Sequence, residues 1–217
     1  MSKFLAPIHT WLFNKIKLLE SIEKDIRSLK ILTEEEKKAL YTTLSNKYGE
    51  LLDERPIEEL IDTDNIHGWL QGRIKIAETR QSELTFALLN KNKDTAMNEL
   101  LSIYKNYGFE SAKKVNIDKN INEPEFILNS TNNFLVEGMP CDRINTITLN
   151  TENELNWNSA RCLHEEYWNS TGNNVEVYYN LRKSFINGFI DGLNLNYNYD
   201  FDIIKTTTLN SINHSIK

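Results

Sequence analysis

Ile8-His9-Thr10-Trp11-Leu12-Phe13-Asn14-Lys15-Ile16-Lys17-Leu18-Leu19-Glu20 aligns without a gap to Ile66-His67-Gly68-Trp69-Leu70-Gln71-Gly72-Arg73-Ile74-Lys75-Ile76-Ala77-Glu78, at an offset of 58 residues. Ile, His, Trp, Leu, Ile, Lys and Glu are identical, and Lys15/Arg73 and Leu18/Ile76 are conservative matches. Two of the four histidines and two of the four tryptophans of the chain lie in these copies, which marks them as an internal repeat. The expected unit is helix, turn, helix. Helices joined by short connections run antiparallel, so the first and third run parallel. His9 and His67 then share one end of a bundle, each in a first helical turn.

Backbone N–H groups are unpaired at such an end and the helix dipole is positive. An anion is favoured there. Protonated imidazole is disfavoured, which keeps the ring neutral and able to bind a metal or act as a base. The plainer reading is a packing signature, each imidazole capping the other copy. Glu20 and Glu78 lie eleven positions beyond their histidines. At about 1.5 Å per residue they are on the order of 16 Å away, too far to share a metal with the histidine of their own helix.

The rest of the first half also reads as helix. Pro7 suits a first turn, and Leu12, Ile16, Leu19, Ile22, Ile26 and Leu29 recur at helical spacing. Thr33-Glu34-Glu35-Glu36 is a capping box opening a second helix that Gly49 closes. A short segment over 57–61, a long helix over 66–89 and another over 94–107 follow, the last stopped by Gly108. Residues 109–133, polar and holding Pro124, read as a linker or long excursion. Strands are expected at Phe134–Glu137, Ile144–Leu149, Arg161–Leu163 and Tyr197–Thr208. A helix over Val175–Leu193 lies between the last two, with Gly188 and Gly192 suited to close packing on a sheet. The tail Leu209–Lys217 is either a last strand or frayed.

Asparagine shifts the same way, with six in the first 100 residues and twenty-two in the remaining 117. It disfavours helix interiors and suits turns. The expectation is an α+β fold: a helical bundle over 1–108 with repeat copies at 8–20 and 66–78, a connection over 109–133, and a small sheet with one long packed helix over 134–217.

The net charge is −6, with no concentrated basic tract, which argues against duplex nucleic acid as a partner. No apolar stretch reaches the roughly 20 residues of a membrane helix. The first residues carry no signal-peptide pattern, so a cytoplasmic location is expected.

The two cysteines, Cys141 and Cys162, are then free thiols rather than a bridge, and the plainest reading makes them small buried hydrophobes. Gly138-Met139-Pro140-Cys141-Asp142-Arg143 reads as a tight turn presenting a thiol, with Arg143 placed to lower its pKa. In an extended Arg161-Cys162-Leu163-His164, Cys162 and His164 point the same way. Such a pair serves either as nucleophile and base or as two zinc ligands. In the second case His9 and His67 complete a metal set with His164, and zinc is the candidate cofactor.

The stretch from about Gly138 to Ile216 resembles the bacterial proteins grouped around L-2-amino-thiazoline-4-carboxylic acid hydrolase. The resemblance rests on Cys141, on Cys162-Leu163-His164 with Tyr167-Trp168, on Gly172 before a helix ending Gly188-Phe189, and on a strand and terminal motif. The family's terminal Gly-Asp-x-x-Cys-x-Phe is replaced by Asn210, Ser211, His214 and Ile216, a departure that bears on retention of activity. The resemblance implies hydrolysis of a C–N or C–S bond in a small cyclic amino-acid-derived substrate. Cys141, Cys162 and His164 are its expected catalytic residues. Arg143 or Arg161 would anchor a substrate carboxylate, and Trp11 and Trp69 would flank the substrate. The rival expectations are a non-catalytic ligand- or metal-binding sensor or carrier, and a partner-binding protein whose His and Trp residues only pack.

Overall fold

The computed structural model describes residues 5–118, 120–205, 207 and 210–217. Among these the chain forms α1 (Pro7–Ser28), α2 (Glu34–Tyr48), α3 (Ile57–Leu60), α4 (Ile66–Lys91), α5 (Lys93–Ala112), α6 (Glu123–Thr131), β1 (Asn145–Asn150), β2 (Leu155–Ser159), α7 (Glu165–Asn169), α8 (Val175–Gly192), β3 (Tyr199–Ile204) and β4 (Ser211–Ile216). The fold is α+β, eight helices with one four-stranded antiparallel sheet in the order β1-β2-β4-β3. No described helix is long and apolar enough to cross a membrane.

Local chemistry accounts for most helix ends. Thr33 accepts from the Glu36 N–H at 3.2 Å while Glu36 accepts from the Thr33 N–H at 2.8 Å, the reciprocal capping box. Gly49, at φ +97°, closes α2. Asn65, Asn92 and Asn122 cap α4, α5 and α6 through their side chains. Residues 109–133 are thus no linker. α5 runs on to Ala112, and α6 occupies Glu123–Thr131, with Pro124 in its first turn where a missing N–H costs nothing.

Gly108 does not stop α5. It sits inside the helix, where α8 crosses so closely that a Cβ there would lie 1.9 Å from the Phe185 carbonyl oxygen. Reciprocally, a Cβ on Gly188 would lie 2.1 Å from the Lys105 carbonyl oxygen, and one on Gly192 2.7 Å from the Phe109 carbonyl oxygen. The two late glycines therefore pack against a helix of the first half, not a sheet. One buried cluster accordingly runs from Ile22, Leu84 and Leu100 through Phe185 to Trp157 and Ile212, across the expected division of the chain.

Two expected strands are absent. Phe134–Glu137 forms turn and loop after α6, and Arg161–Leu163 forms bends. Neither segment joins the sheet, and the position of each is set by the hydrogen bonds and turn contacts described below. The expected strand at Ile144–Leu149 is β1, and β2 pairs with it in an unexpected hairpin. The expected strand over 197–208 is realised as β3; Thr206, Thr208 and Leu209 lie outside the described residues. β2 and β4 turn Leu155, Trp157, Ser159, Ile212, His214 and Ile216 onto the core and Asn156, Asn158, Asn213 and Ser215 away from it, the period-two alternation of a sheet with one wet face.

Candidate functional site

α1 and α4 lie side by side and parallel. His9 Nε2 is 3.3 Å from His67 Nε2 at their N-terminal ends, and Arg73 bonds Glu20 at 2.7 Å further along. His9 Nδ1 accepts from the Ala6 N–H at 3.1 Å. Neutral His9 therefore carries its proton on Nε2 and gives it to His67. Burial and the neighbouring His67 hold its pKa below the ordinary histidine value. A ring in this tautomer offers no Nε2 lone pair to a metal.

His164 is elsewhere. It lies against Glu78, eleven residues along α4 from His67, so the expected His9/His67/His164 set is not brought together. Among the described residues no group of three or more His, Cys, Asp or Glu is arranged to hold a metal ion. The donor set does not fit zinc.

The structure does assemble a buried ionisable cluster, where the two apolar clusters of the protein meet. Glu78 follows Ala77 and Glu137 follows Val136 in one cluster, and His164 stacks on Tyr178 of the other with ring centroids 4.0 Å apart. His164 is fully buried. Its Nδ1 lies 2.9 and 3.1 Å from the Glu78 carboxylate oxygens. Its Nε2 lies 3.5 Å from Glu137 and makes no hydrogen bond. Glu137 is in turn paired with Arg182 at 2.5 Å.

Burial opposes charge on His164, but the two carboxylates outweigh it and push its pKa up to about 9. Burial likewise opposes charge on Glu137, yet Arg182 and then His164 hold its carboxyl well below the usual carboxylate range. His164 is an imidazolium clamped between two anions.

Local structure fixes that imidazolium. The Cys162 N–H donates to the Asn210 carbonyl at 2.6 Å, and the Asn210 N–H donates to Glu165 at 2.9 Å. These anchors hold the bend before α7 in place without a strand. The Glu137 side is set by a turn in which Gly138, at φ +66°, approaches Leu163, and Asp142 accepts from the Met139 N–H at 2.8 Å.

A second set of bonds leads from Arg182 toward the surface. Tyr199 faces the Arg182 guanidinium, which has only protons to offer, so the phenol turns its own proton to His214 Nδ1 at 2.7 Å. His214 Nε2–H then donates to Ser159 at 3.0 Å, and Ser159 donates to Asn145 at 2.5 Å. Burial and the nearby Arg182 lower the pKa of His214 to about 3, so it is neutral. In this polarity Ser159 receives a proton from the imidazole and is not activated as a nucleophile. His214 stacks on Trp157 with ring centroids 4.7 Å apart.

The remaining expected residues fall at varied distances from this centre. A cleft of about 190 Å³ opens between Gln71, Ile74 and Glu78 of α4 and Asp142, Arg161 and Cys162, so Glu78 connects it to His164. Arg161 lines it while held by Asp142 at 3.1 Å. Arg143 is exposed and strained at φ +46°.

Cys162 is 2% exposed, its Sγ 3.5 Å from Tyr179 Oη, and burial pushes its thiol pKa up. Cys141 is exposed at the turn and does not line the cleft. Trp69 stacks on Phe13 with centroids 6.2 Å apart, and Trp11 donates to Asn133 at 2.9 Å while its ring lies 3.9 Å under Lys15 Nζ.

Glu137, Arg182, Lys15 and His214 escaped sequence reasoning as site residues. The signal was present for two of them. Lys15 lies one helical turn from both Leu12 and Leu19, and Arg182 one turn from both Tyr178 and Phe185. Each is a charge within an apolar stripe.

Comparison with protein-family models, with curated proteins and with solved structures finds no match for the chain.

Proposed function

We propose that the protein is a hydrolase acting on a C–N or C–S bond of a small cyclic amino-acid-derived substrate of the thiazoline-carboxylate type. The supporting observation is the state of His164. Glu78 fixes Nδ1, while Nε2 faces Glu137 at 3.5 Å and makes no hydrogen bond, so its proton is the one this reading assigns to a substrate atom. An imidazolium so placed is a general acid. In the proposed reaction a water oxygen attacks the amidine-like carbon of the ring. The bond from that carbon to nitrogen or sulfur breaks, and the departing atom takes the Nε2 proton. The proton shed by the water passes through the Glu137 carboxylate back to His164, so one water is consumed and the site returns to its starting state. Arg182 keeps Glu137 ionised between turnovers. This assigns no bond-forming role to either cysteine, in line with the protonated state of Cys162.

The test is incubation of purified protein with 2-amino-thiazoline-4-carboxylate, following ring loss by mass spectrometry. Ring opening in wild type and its loss by a factor of about 10² or more in His164→Gln and Glu78→Gln is expected, the loss typical of removing an acid–base group. No ring opening by wild type would overturn the reading. The sensor or carrier reading is favoured by one observation, the closed pairing of Glu137 with Arg182. It predicts saturable binding of the same ring with no product.

A further inference from the structure

Arg73 and Glu20 form an ion pair at 2.7 Å between α4 and α1. At the offset of 58 residues, Arg73 aligns with Lys15 and Glu20 with Glu78. The corresponding Lys15–Glu78 pair does not form, because Glu78 is taken by His164 at 2.9 Å. Lys15 is 2% exposed, and among the described residues no carboxylate oxygen lies within ion-pair distance of its ammonium nitrogen; the nitrogen sits over the Trp11 ring at 3.9 Å. The charged groups around it are Glu137, from the loop after α6, and Arg182, from α8.

The charges of the cluster can be counted. Glu78 and Glu137 balance His164 and Arg182. Lys15 is the one left over. A buried cation is costly unless an anion joins it, and an aromatic face replaces only part of what a carboxylate would give. A monoanion would bring the cluster back to neutrality. A dianion would leave a buried negative charge.

We propose that Lys15 is the receptor for the carboxylate of a small monoanionic ligand that completes a five-charge cluster lacking one anion. The proposal rests on the reading of this cluster as the substrate site. Arg161 and Arg143, the anchors expected from sequence, then play no part in holding that carboxylate. In the free protein, burial keeps the Lys15 pKa down at about 7. Above that pH the amine is neutral, and docking of the anion must draw a proton from solvent.

The test is calorimetric titration of the full chain with thiazolidine-4-carboxylate, a ring with no amidine carbon to hydrolyse, at pH 8 in two buffers of different ionisation enthalpy. Wild type is expected to take up close to one proton per ligand bound, and its Kd to rise about tenfold from pH 7.5 to 8.5. Lys15→Met removes a desolvated charge and retains the apolar stem, and it is expected to fold. It is expected to bind at least tenfold more weakly with no proton uptake. Lys15→Arg is expected to bind without uptake and without the pH dependence.

Three results each overturn the proposal: binding by wild type without proton uptake, an unchanged Kd in Lys15→Met, or no binding of the carboxylate at millimolar concentration. The two proposals fail separately. Ring opening with an unaltered KM in Lys15→Met would remove Lys15 as receptor and leave the hydrolase. Proton-coupled binding without ring opening would leave the receptor and remove the hydrolase.

Discussion

His164 Nδ1 lies 2.9 Å from Glu78 Oε2, with both side chains shut away from solvent. The imidazolium this pair holds, with its pKa at about 9 against an ordinary 6.5, stabilises the fold fully below pH 6.5. That contribution is lost as pH rises toward 9. Lys15 acts in the opposite sense. Its pKa of about 7 against 10.5 makes the unfolded chain the better proton binder between those values, so its penalty shrinks as pH rises. Each slope is about 1.4 kcal/mol per pH unit over the shared window. The expected outcome is wild-type stability that is nearly level from pH 7 to 9. His164→Gln should gain stability across that range and Lys15→Met should lose it. Urea midpoints at pH 7, 8 and 9 decide the matter; slopes of the same sign in both variants would refute it.

The two thiols should separate cleanly in a labelling experiment. Cys141 is exposed, whereas Cys162 is 2% exposed and its burial holds the thiol protonated. A disulfide reagent at pH 7.5 should modify one thiol per chain, at Cys141, and reach the second only after denaturation. Rapid modification of Cys162 in the native protein would mean that the cleft opens far more than its geometry implies.

Arg80 and Glu23 form a pair that is 1% exposed on both sides, with Arg80 also donating to the Gly49 carbonyl at 2.7 Å. This contact ties the end of α2 to α4. Removing one partner strands a charge in the interior. Glu23→Ala should therefore destabilise by about 3–5 kcal/mol. Replacing both by Met should recover most of the loss. Chemical denaturation of wild type and the two variants measures both effects, and a mild Glu23→Ala would be incompatible with the burial.

Glycine substitutions should differ sharply by position. Gly108→Ala drives a methyl into backbone that cannot retreat, with a cost at the upper end of about 1–3 kcal/mol. At Gly72 a Cβ meets nothing within 4 Å, so Gly72→Ala should stabilise by about 0.5–1 kcal/mol through helix propensity alone. Thermal melts of the two variants should move in opposite directions.

The helices were legible because their signals are local. The Thr33 capping box, Gly49 and the stripe from Leu12 to Leu29 depend on neighbours within a turn or two. The parallel placement of His9 and His67 also followed from sequence, since it needs only the order of helices. The failures share a cause. Gly108 reads as a stop until α8 is known to lie against it, and Arg161–Leu163 reads as a strand until Asn210 is known to anchor it. The site was half visible: His164 stood out by residue type, while Glu78 and Glu137 became its partners through contacts spanning the chain. Arg182 could have been found, since it is the one charge in a helix face otherwise filled by Tyr178, Leu181 and Phe185.

The glycine-lined crossing of α5 and α8 has a consequence for biosynthesis. The groove around Gly108 stays empty until Gly188 and its neighbours have left the ribosome, so the first hundred residues must wait, apolar surface uncovered, for a helix made much later. A nascent chain halted after α6 exposes apolar surface that α8 covers in the finished fold.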